Sequence, residues 1–365
     1  MDWTDTGYEY VIEVLVVSPM NVDETLGVLQ GVVGQGATVT ENYYSDSRVQ
    51  AKLSTIVSEG ESDGYIDDAR LRINIMIPSR NWFEEFVTGY VTNISEKSEH
   101  GYTRRDYTIE GTLWGLLNHK ISVPITIGNG VKRNKVWKDL LGTLTKMQYT
   151  AEGAPDLTYT PSSPIVYEVG TNLSTVLFGL ASGDTRMDTN GHGVITLKAY
   201  TEPSKREADR TVDFSDMRGL ALYPLEMSST KWEAVGRAIV TATVSKTDSE
   251  GKTTQEVISG SYDAPASNFT SINKRGWLNA RSDSYTGVSE NPSKTELANE
   301  AKKNWESAQG KYRTWTAGSV FANYHAGEVI NLVLNTPQKT TVKVLIHSVR
   351  TDLEAFTQDL TMKEV

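Results

Sequence analysis

The chain has 365 residues, no cysteine, and a formal net charge of −10 from 46 acidic and 36 basic residues. This length exceeds what one compact core usually serves, so we expect about two to four domains. The acidic balance argues against a protein dedicated to binding duplex DNA, which needs a cationic surface. The lack of cysteine excludes disulfides and thiolate metal sites.

The N-terminal residues predict neither a signal peptide nor a membrane segment. Residues 1–5 are acidic, whereas a signal peptide begins with basic residues. The apolar run at residues 11–17 is too short to span a bilayer and contains Glu13. We therefore expect a protein that is made in the cytoplasm and has no membrane-spanning segment.

The first part of the chain alternates predicted strands with one predicted helix. Residues 21–33 are predicted to be a short helix, because Asp23 and Glu24 would lie in its first turn and suit the helix dipole. The glycine-rich residues 31–36 would then end this helix and form a flexible turn. A dinucleotide-binding loop would instead follow a strand. Strands are predicted at residues 8–18, 37–44 and 49–57, and an exposed acidic loop at residues 58–64.

One strand pattern occurs twice. Alternation places Leu71 and Ile73 on one face of a strand and Arg70 and Arg72 on the other, as in a barrel wall with one dry side. Such duplication indicates a pseudo-symmetric scaffold with two similar small antiparallel β-barrels. The first meander covers residues 69–77, 86–94 and 105–111, and the second covers residues 327–334, 341–349 and 356–362.

The middle of the chain predicts an α+β domain. Apolar residues at 136, 137, 140, 141 and 144 form a helical stripe, and a second helix is predicted at residues 172–181. A hairpin follows, in which Asn190 and Gly191 would supply the positive dihedrals of a tight turn between residues 186–188 and 194–197.

The C-terminal third predicts strands around a helical insertion. A helix begins near residue 293, with Leu297, Ala301 and Trp305 on one face. Residues 262–292 are polar and rich in turn formers. Strands are predicted at residues 211–214, 220–227, 234–244 and 253–258. The resulting domains are a first β-barrel at 1–119, an α+β domain at 120–205, a second discontinuous barrel at 206–254 and 318–365, and an inserted loop and helix region at 255–317.

This order of elements resembles the phage tail hub family, which includes baseplate hub proteins and the N-terminal structural modules of tail-associated lysins. The resemblance covers nearly the whole chain through short, degenerate motifs, and residues 255–290 match nothing in it. The stretches that carry it are residues 86–91, 107–117, 172–181 with 188–193, and 293–309 with 325–330. In this family the chains form a homotrimer whose duplicated barrels make a pseudo-sixfold ring, which joins a sixfold tail tube to a threefold tip.

The sequence contains no strong motif for catalysis or metal binding. No two of the five histidines have a helical ligand spacing, and neither a G-x-S-x-G elbow nor a P-loop is present. Asp184, Asp188 and Asn190 lack the glycine and distal glutamate of a calcium loop, which favours a plain hairpin turn. We therefore assign no catalytic, cofactor-binding or metal-binding residue. The histidines are His100, His119, His192, His325 and His347.

Acidic pairs and aromatic residues leave other roles open. The pairs Glu84–Glu85 and Asp67–Asp68 could serve a glycosidase or peptidase, or they could be solvated loop charge. Four aromatic residues near loop edges could bind carbohydrate, or they could be buried against a neighbouring subunit. These are Tyr43, Tyr44, Trp82 and Phe83.

We predict a structural, non-enzymatic tail hub or baseplate protein that forms a homotrimeric ring, adapts the tube to the tip and lines the DNA channel. Its partners would be other copies of itself, tail tube or distal tail proteins, and tip, spike or fibre proteins, with DNA only in transit. The location would be the tail tip of the virion, after synthesis in the host cytoplasm. The alternatives are a tail-tip cell-wall hydrolase or a carbohydrate-binding protein. Because the sequence ends at Val365, directly after the last predicted strand, we expect no lysin domain after it.

Charge predicts the character of the channel. A trimer would carry three times −10, and an acidic or neutral wall would leave the duplex mobile during ejection. We therefore expect more Asp and Glu than Lys and Arg on the channel wall. The basic residues Arg70, Arg72, Lys132 and Arg133 would be paired or turned away from it. The alternative is that the acidic excess lies on the outer surface and serves solubility.

Overall fold

The computed structural model describes residues 9–156, 158, 164–181, 185–214, 221–230, 234–247, 253–285, 292–308, 313–334 and 340–365. The chain is mainly β, as the alternating sequence pattern predicts. One sheet of 13 strands runs through both the N-terminal and the C-terminal part of the described chain. Smaller sheets and the helices pack beside it.

The first part of the chain supplies seven strands to the large sheet, in the order β3-β4-β7-β6-β5-β1-β2. Neighbouring strands are antiparallel. Their buried core includes Val39, Leu71, Ile73 and Ile109, each 0% exposed. The strands are β1 (Val11–Val17), β2 (Thr25–Val28), β3 (Val32–Asn42), β4 (Val49–Ser58), β5 (Arg70–Ile77), β6 (Trp82–Glu99) and β7 (Tyr102–Gly111).

The predicted helix at residues 21–33 is wrong, because this segment contains β2 and the start of β3. Its valines favour strands and its glycines weaken a helix. Gly31 lies between β2 and β3, has φ 66°, and a Cβ there would lie 2.3 Å from the carbonyl oxygen of Ile56. Gly34 and Gly36 lie in β3, where its register against β4 shifts between Val33 and Thr38. The glycine-rich run is therefore a turn at Gly31 followed by the irregular start of β3.

The predicted barrel wall with one dry side is also wrong for β5. Arg70 and Arg72 are 1% and 4% exposed, although they lie on the face opposite Leu71 and Ile73. The middle of the chain covers this second face, since Arg72 donates to the carbonyl oxygen of His192. Both faces of β5 are consequently buried.

The middle of the chain has its own hydrophobic core, which contains Trp137, Leu141 and Leu177. This agrees with the two predicted amphipathic helices. The strand β12 pairs with β11 and β9, and β8 pairs with β10. The elements are α1 (Leu113–Asn118), β8 (Ile125–Ile127), α2 (Arg133–Leu144), β9 (Tyr149–Thr150), β10 (Ile165–Tyr167), α3 (Leu173–Leu180), β11 (Thr185–Thr189) and β12 (Ile195–Ala199).

The C-terminal part adds six strands to the large sheet. They surround a separate buried core that includes Ile330, Leu332, Leu360 and Met362. These strands are β13 (Arg210–Asp213), β14 (Ala221–Ser229), β18 (Arg313–Val320), β19 (Val329–Val333), β20 (Thr341–Asp352) and β21 (Thr357–Glu364).

Between β14 and β18 the chain forms a smaller unit with its own core, which includes Val240, Leu297 and Ala301. The strand β15 pairs with β16 and β17 in this unit, and the predicted helix packs on both β15 and β16. Ser293 and Glu296 form a reciprocal capping box at the start of that helix. The division into domains stays a prediction. The elements are β15 (Arg237–Thr247), β16 (Thr253–Asp263), α4 (Ile272–Arg275), β17 (Ala280–Ser284) and α5 (Lys294–Ala308).

The two predicted meanders are present in the large sheet, as β5-β6-β7 and β19-β20-β21. They share an irregularity: the β6–β7 register shifts between Val91 and Asn93, and the β20–β21 register shifts between Ile346 and Ser348. Alignment on these shifts makes Tyr107 equivalent to Leu360, and both are buried. The strands β3 and β20 pair and join the two halves. Within the described residues no closed barrel is found.

Candidate functional site

A polar cleft of about 270 Å³ lies where three parts of the chain meet. Its walls come from β3 and β6, from the β11–β12 hairpin, and from the loop that precedes β19. The cleft is lined by the carboxylates of Glu41, Glu84 and Glu85 and by the guanidinium groups of Arg48 and Arg186. The cleft thus brings together charged residues that are far apart in sequence.

His325 links the C-terminal half to the first meander on one side of the cleft. Its Nδ1 lies 3.0 Å from Oε1 of Glu41 on β3, and its Nε2 lies 2.9 Å from Oε1 of Glu84 on β6. Asn323 donates to the same Glu84 at 2.6 Å, and the Ala326 amide donates to Glu41 at 3.1 Å. One histidine loop therefore holds two carboxylates of the N-terminal half.

The surroundings favour a protonated His325. Burial alone would lower the pKa of this imidazole, but Glu41 and Glu84 raise it well above the ordinary value of 6.5. A raised folded-state pKa contributes stability that is fully present below the unfolded-state pKa and is lost as pH rises through the folded-state pKa.

We expect wild-type protein to lose stability at alkaline pH more steeply than the His325→Gln variant. Glutamine cannot carry the charge that holds both carboxylates, so the variant should already be less stable at pH 6, by about 2 kcal/mol. Its stability should then vary less between about pH 6 and pH 9. Urea denaturation of both proteins across this range measures the difference. His119→Gln is the control, and identical pH profiles for wild type and His325→Gln would contradict the assignment.

A second network docks the β11–β12 hairpin on the first meander. His192 in the hairpin turn places Nδ1 2.7 Å from Glu85 and Nε2 2.7 Å from Asp23. The hydrogen bond to His192 lowers the pKa of Asp23. Arg72 completes the network by donating to Glu85 at 3.2 Å and to the carbonyl oxygens of Val22 at 2.6 Å and His192 at 3.1 Å.

The hairpin turn contacts β6 directly through its backbone. A Cβ on Gly191 would lie 1.5 Å from the carbonyl oxygen of Glu85, so only glycine fits. The predicted positive dihedrals at Asn190 and Gly191 are wrong, because the positive φ of 89° belongs to Gly193. Asn190 instead closes the turn: its backbone amide donates to the carbonyl oxygen of Val194, and its side-chain Oδ1 accepts from the Val194 amide.

Arginines hold the opposite wall of the cleft. The Arg48 guanidinium donates to the carbonyl oxygen of Tyr43 at 2.6 Å, and Arg186 donates to the same oxygen at 2.5 Å. The Arg186 guanidinium also lies 3.4 Å from the centre of the Tyr43 ring, which is a cation–π contact. Asp188 pairs with both arginines, at 3.8 Å and 3.5 Å.

The structure separates most of the residues that the alternative functions would combine. Glu84 and Glu85 are adjacent in sequence, but each contacts a different histidine. Asp188 pairs with arginines, and Asp184 lies outside the described residues. Of the four aromatic residues, Tyr43 is buried and Trp82 packs on Phe321, while Tyr44 and Phe83 are exposed.

Sequence reasoning missed both histidine networks. Neither network has a short ligand spacing, because His192 lies 107 residues from Glu85 and His325 lies 284 residues from Glu41. Among the described residues, no group of three His, Asp or Glu side chains has the geometry to hold a metal ion. No helix in the described part of the chain is long and apolar enough to cross a membrane. The chemistry of the cleft is a set of charge-assisted hydrogen bonds that join distant segments.

Comparisons with known proteins find relatives by structure. The sequence matches no protein-family model and no curated protein. The fold is similar to a tail protein from Neisseria meningitidis MC58, with a TM-score of 0.66, 9% identity, and coverage of 98% of this chain and 97% of that chain. It is also similar to the 43 kDa tail protein of prophage MuSo2 from Shewanella oneidensis, with a TM-score of 0.64, 11% identity, and coverage of 97% and 98%.

A third similar structure is the E. coli c3393 protein. It is a component of the type VI secretion system with structural similarity to the T4 phage tail proteins gp27 and gp5. The TM-score is 0.51 at 10% identity, and the match covers 99% of this chain and 76% of that chain. The chain therefore has the fold of phage tail proteins, which confirms at the level of the fold the resemblance to the phage tail hub family.

Proposed function

We propose that this protein is a structural hub of a phage tail. Three copies form a ring of six similar β-barrel units, which adapts a sixfold tail tube to a threefold tip and lines the DNA channel. Its partners are the tube or distal tail proteins on one side and tip, spike or fibre proteins on the other. It is a component of the virion and is not an enzyme.

The matched pair of meanders carries this proposal. A chain with two equivalent units can meet a sixfold neighbour with three copies, since three chains present six units. The shared register shifts of β6–β7 and β20–β21 support this equivalence. The continuous sheet through β3 and β20 supports a fixed step from one unit to the next. The cleft fits this role as well, because its charged residues brace both halves of the chain.

The burial of Arg70 and Arg72 is consistent with a channel wall that is not cationic. Arg70 is buried and donates to Tyr90 at 2.7 Å and to the carbonyl oxygen of Pro19 at 2.8 Å. Arg72 is buried in the hairpin network. Neither guanidinium is therefore available to bind phosphates by counterion release. We propose that acidic residues outnumber basic ones on the channel wall.

Electron microscopy of the tail that contains this protein tests the proposal. We expect one ring of three chains in which six barrel-like densities surround the axis, with a channel wall that has a negative or neutral potential. Gold or fluorescent-protein labelling of the C-terminus counts the chains independently and should give three labels per tail. Six chains per ring, or a continuous positive channel, would contradict the proposal.

A further inference from the structure

The joint between β3 and β20 is a template for contact between copies. Residues 341–345 of β20 pair with β19, and residues 348–352 pair with β3. The strand β21 pairs with residues 344–352 along the opposite edge of β20. The long strand β20 therefore extends past β19. The residues of β20 that β19 does not reach pair with β3 from the other half of the chain.

The equivalent edge of β6 is open. The strand β5 pairs with residues 82–90 of β6, and β7 pairs with residues 89–99 along the opposite edge. No strand in the described part of the chain pairs with residues 93–99 on the β5 side. These residues are exposed. The strand β6 thus extends past β5 as β20 extends past β19.

The equivalent of β3 is β14. The strand β3 pairs with β4, and β14 pairs with β18, which occupies the matching place next to the second meander. Both ladders are irregular at corresponding points, between Val33 and Thr38 and between Tyr223 and Glu226. Among the described strands, β14 has β18 as its one partner and ends the sheet. In each half of the described chain, an open strand edge therefore lies at a place equivalent to one side of the β3–β20 joint.

We propose that β14 of one copy pairs antiparallel with the open edge of β6 in the next copy, in the register of the β3–β20 joint. This inference rests on the proposed ring and names the strands that close it. The internal pairs are Val349 with Glu41, Arg350 with Thr40, Thr351 with Val39, and Asp352 with Thr38. Transfer through the matched irregularities pairs Ile94 with Ser229, Ser95 with Ser228, Glu96 with Met227, and Lys97 with Glu226.

Burial distinguishes the closed joint from the open edges. Val349 and Val39 are each 0% exposed at the internal joint. Their equivalents Ile94 and Met227 are 40% and 50% exposed. Both open edges therefore carry a large apolar side chain at a position where the internal joint buries one, and pairing would remove both from water.

Charged residues on β6 and β14 also fit the proposed register. Lys97 would lie directly opposite Glu226, and opposite charges across a strand pair are stabilising. In the single chain Lys97 contacts Glu99, with side chains that are 69% and 42% exposed, and Glu226 is also exposed. Each copy would use β14 at one end and β6 at the other, so the contact is head-to-tail and must close into a ring or continue as a filament.

Disulfide trapping tests this register, and the chain is suited to it because it has no cysteine. The double variant Ser95→Cys with Ser228→Cys should form bonds only between copies. Under copper-phenanthroline oxidation at increasing protein concentration, we expect covalent dimers and trimers that dithiothreitol removes. The variant Thr40→Cys with Arg350→Cys is the positive control, because it places cysteines at the equivalent internal pair and should give an intramolecular bond.

The pair Glu96→Cys with Ser228→Cys is the register control, because these residues would lie on opposite faces of the paired strands. Equal cross-linking of this pair would overturn the proposed register. Light scattering separates the inference from the proposed function. Trimers by mass without the Ser95–Ser228 bond would overturn the strand pairing and leave the ring intact. Monomers without cross-links up to millimolar protein would count against both.

Charge reversal gives a second, independent readout. Lys97→Glu should weaken self-association by about two- to fivefold, because like charges directly across a strand pair are destabilising. Glu226→Lys should do the same, and the double variant should restore the wild-type association measured by sedimentation equilibrium. Additive weakening in the double variant would overturn the proposed contact.

Discussion

Replacement of Arg72 by alanine is expected to lower the free energy of unfolding by about 3 to 5 kcal/mol, the usual cost of breaking a buried ion pair from one side. Arg72 is 4% exposed and donates to Thr88, Glu85 and two carbonyl oxygens. Its removal takes one donor away from each of these acceptors beneath the β11–β12 hairpin, although Glu85 keeps its contact with His192. Denaturant unfolding measures the loss, and limited proteolysis should show earlier cleavage in that hairpin.

The control is Arg104→Ala, which removes an arginine from β7. Arg104 pairs with Asp106, but their side chains are 40% and 49% exposed. Water can replace such a pair, so we expect a loss below about 1 kcal/mol. Equal losses for the two variants would show that Arg72 is not the connection between the hairpin and the meander.

A comparably large loss, about 3 to 5 kcal/mol at pH 7, is expected for Asp63→Ala. Asp63 is 0% exposed and accepts hydrogen bonds from Tyr107 at 2.5 Å, Thr55 at 2.7 Å, Arg105 at 2.7 Å and the Tyr65 amide at 3.2 Å. Alanine would leave the buried hydroxyls of Tyr107 and Thr55 without an acceptor. The predicted exposed loop at residues 58–64 is therefore wrong at its end, because Asp63 anchors it inside the sheet.

The same carboxylate should make the protein sensitive to acid. Burial alone would raise the pKa of Asp63, but the hydrogen bonds from Tyr107 and Thr55 and the charge of Arg105 hold it below the ordinary value of 3.8. A depressed pKa contributes stability that is present above the unfolded-state value and lost as pH falls through the folded-state value. We expect Asp63→Asn to lack this loss of stability below about pH 4.

Asp106→Ala is the matched control for Asp63→Ala, because it removes a half-exposed carboxylate from β7 where Asp63→Ala removes a buried one. The Asp106 side chain is 49% exposed and bonds Ser54 and Arg104. We expect it to cost less than about 1 kcal/mol. A loss as large as that of Asp63→Ala would mean that burial of the carboxylate does not set the cost.

Local pattern was sufficient to predict the two meanders and the main helices. Alternation at residues 69–77 and 341–349 encodes strands, because every second side chain must reach a core. The stripe on α2 that includes Trp137 and Leu141 encodes a helix for the same reason at a different period. These patterns depend on neighbours a few residues apart, so the sequence alone contains them.

Local pattern failed where distant segments determine the structure. The carboxylates Asp23 and Glu24 suggested a helix start, but this segment joins a sheet, and Asp23 pairs with His192 instead. The alternating sequence pattern predicted that one face of β5 is exposed to solvent. The hairpin that carries His192 covers that face. Neither contact leaves a signal at short sequence spacing.

The mainly β class, the paired meanders, the amphipathic helices and the acidic balance are therefore encoded in composition and in patterns of nearby residues. Which strands join, which charges pair and which edges stay open depends on how distant segments pack. The physical reason is that hydrogen-bond ladders and buried ion pairs connect groups separated by up to hundreds of residues, as His325 and Glu41 are by 284. Their partners are selected by the assembled chain, through geometry and burial that no local period encodes.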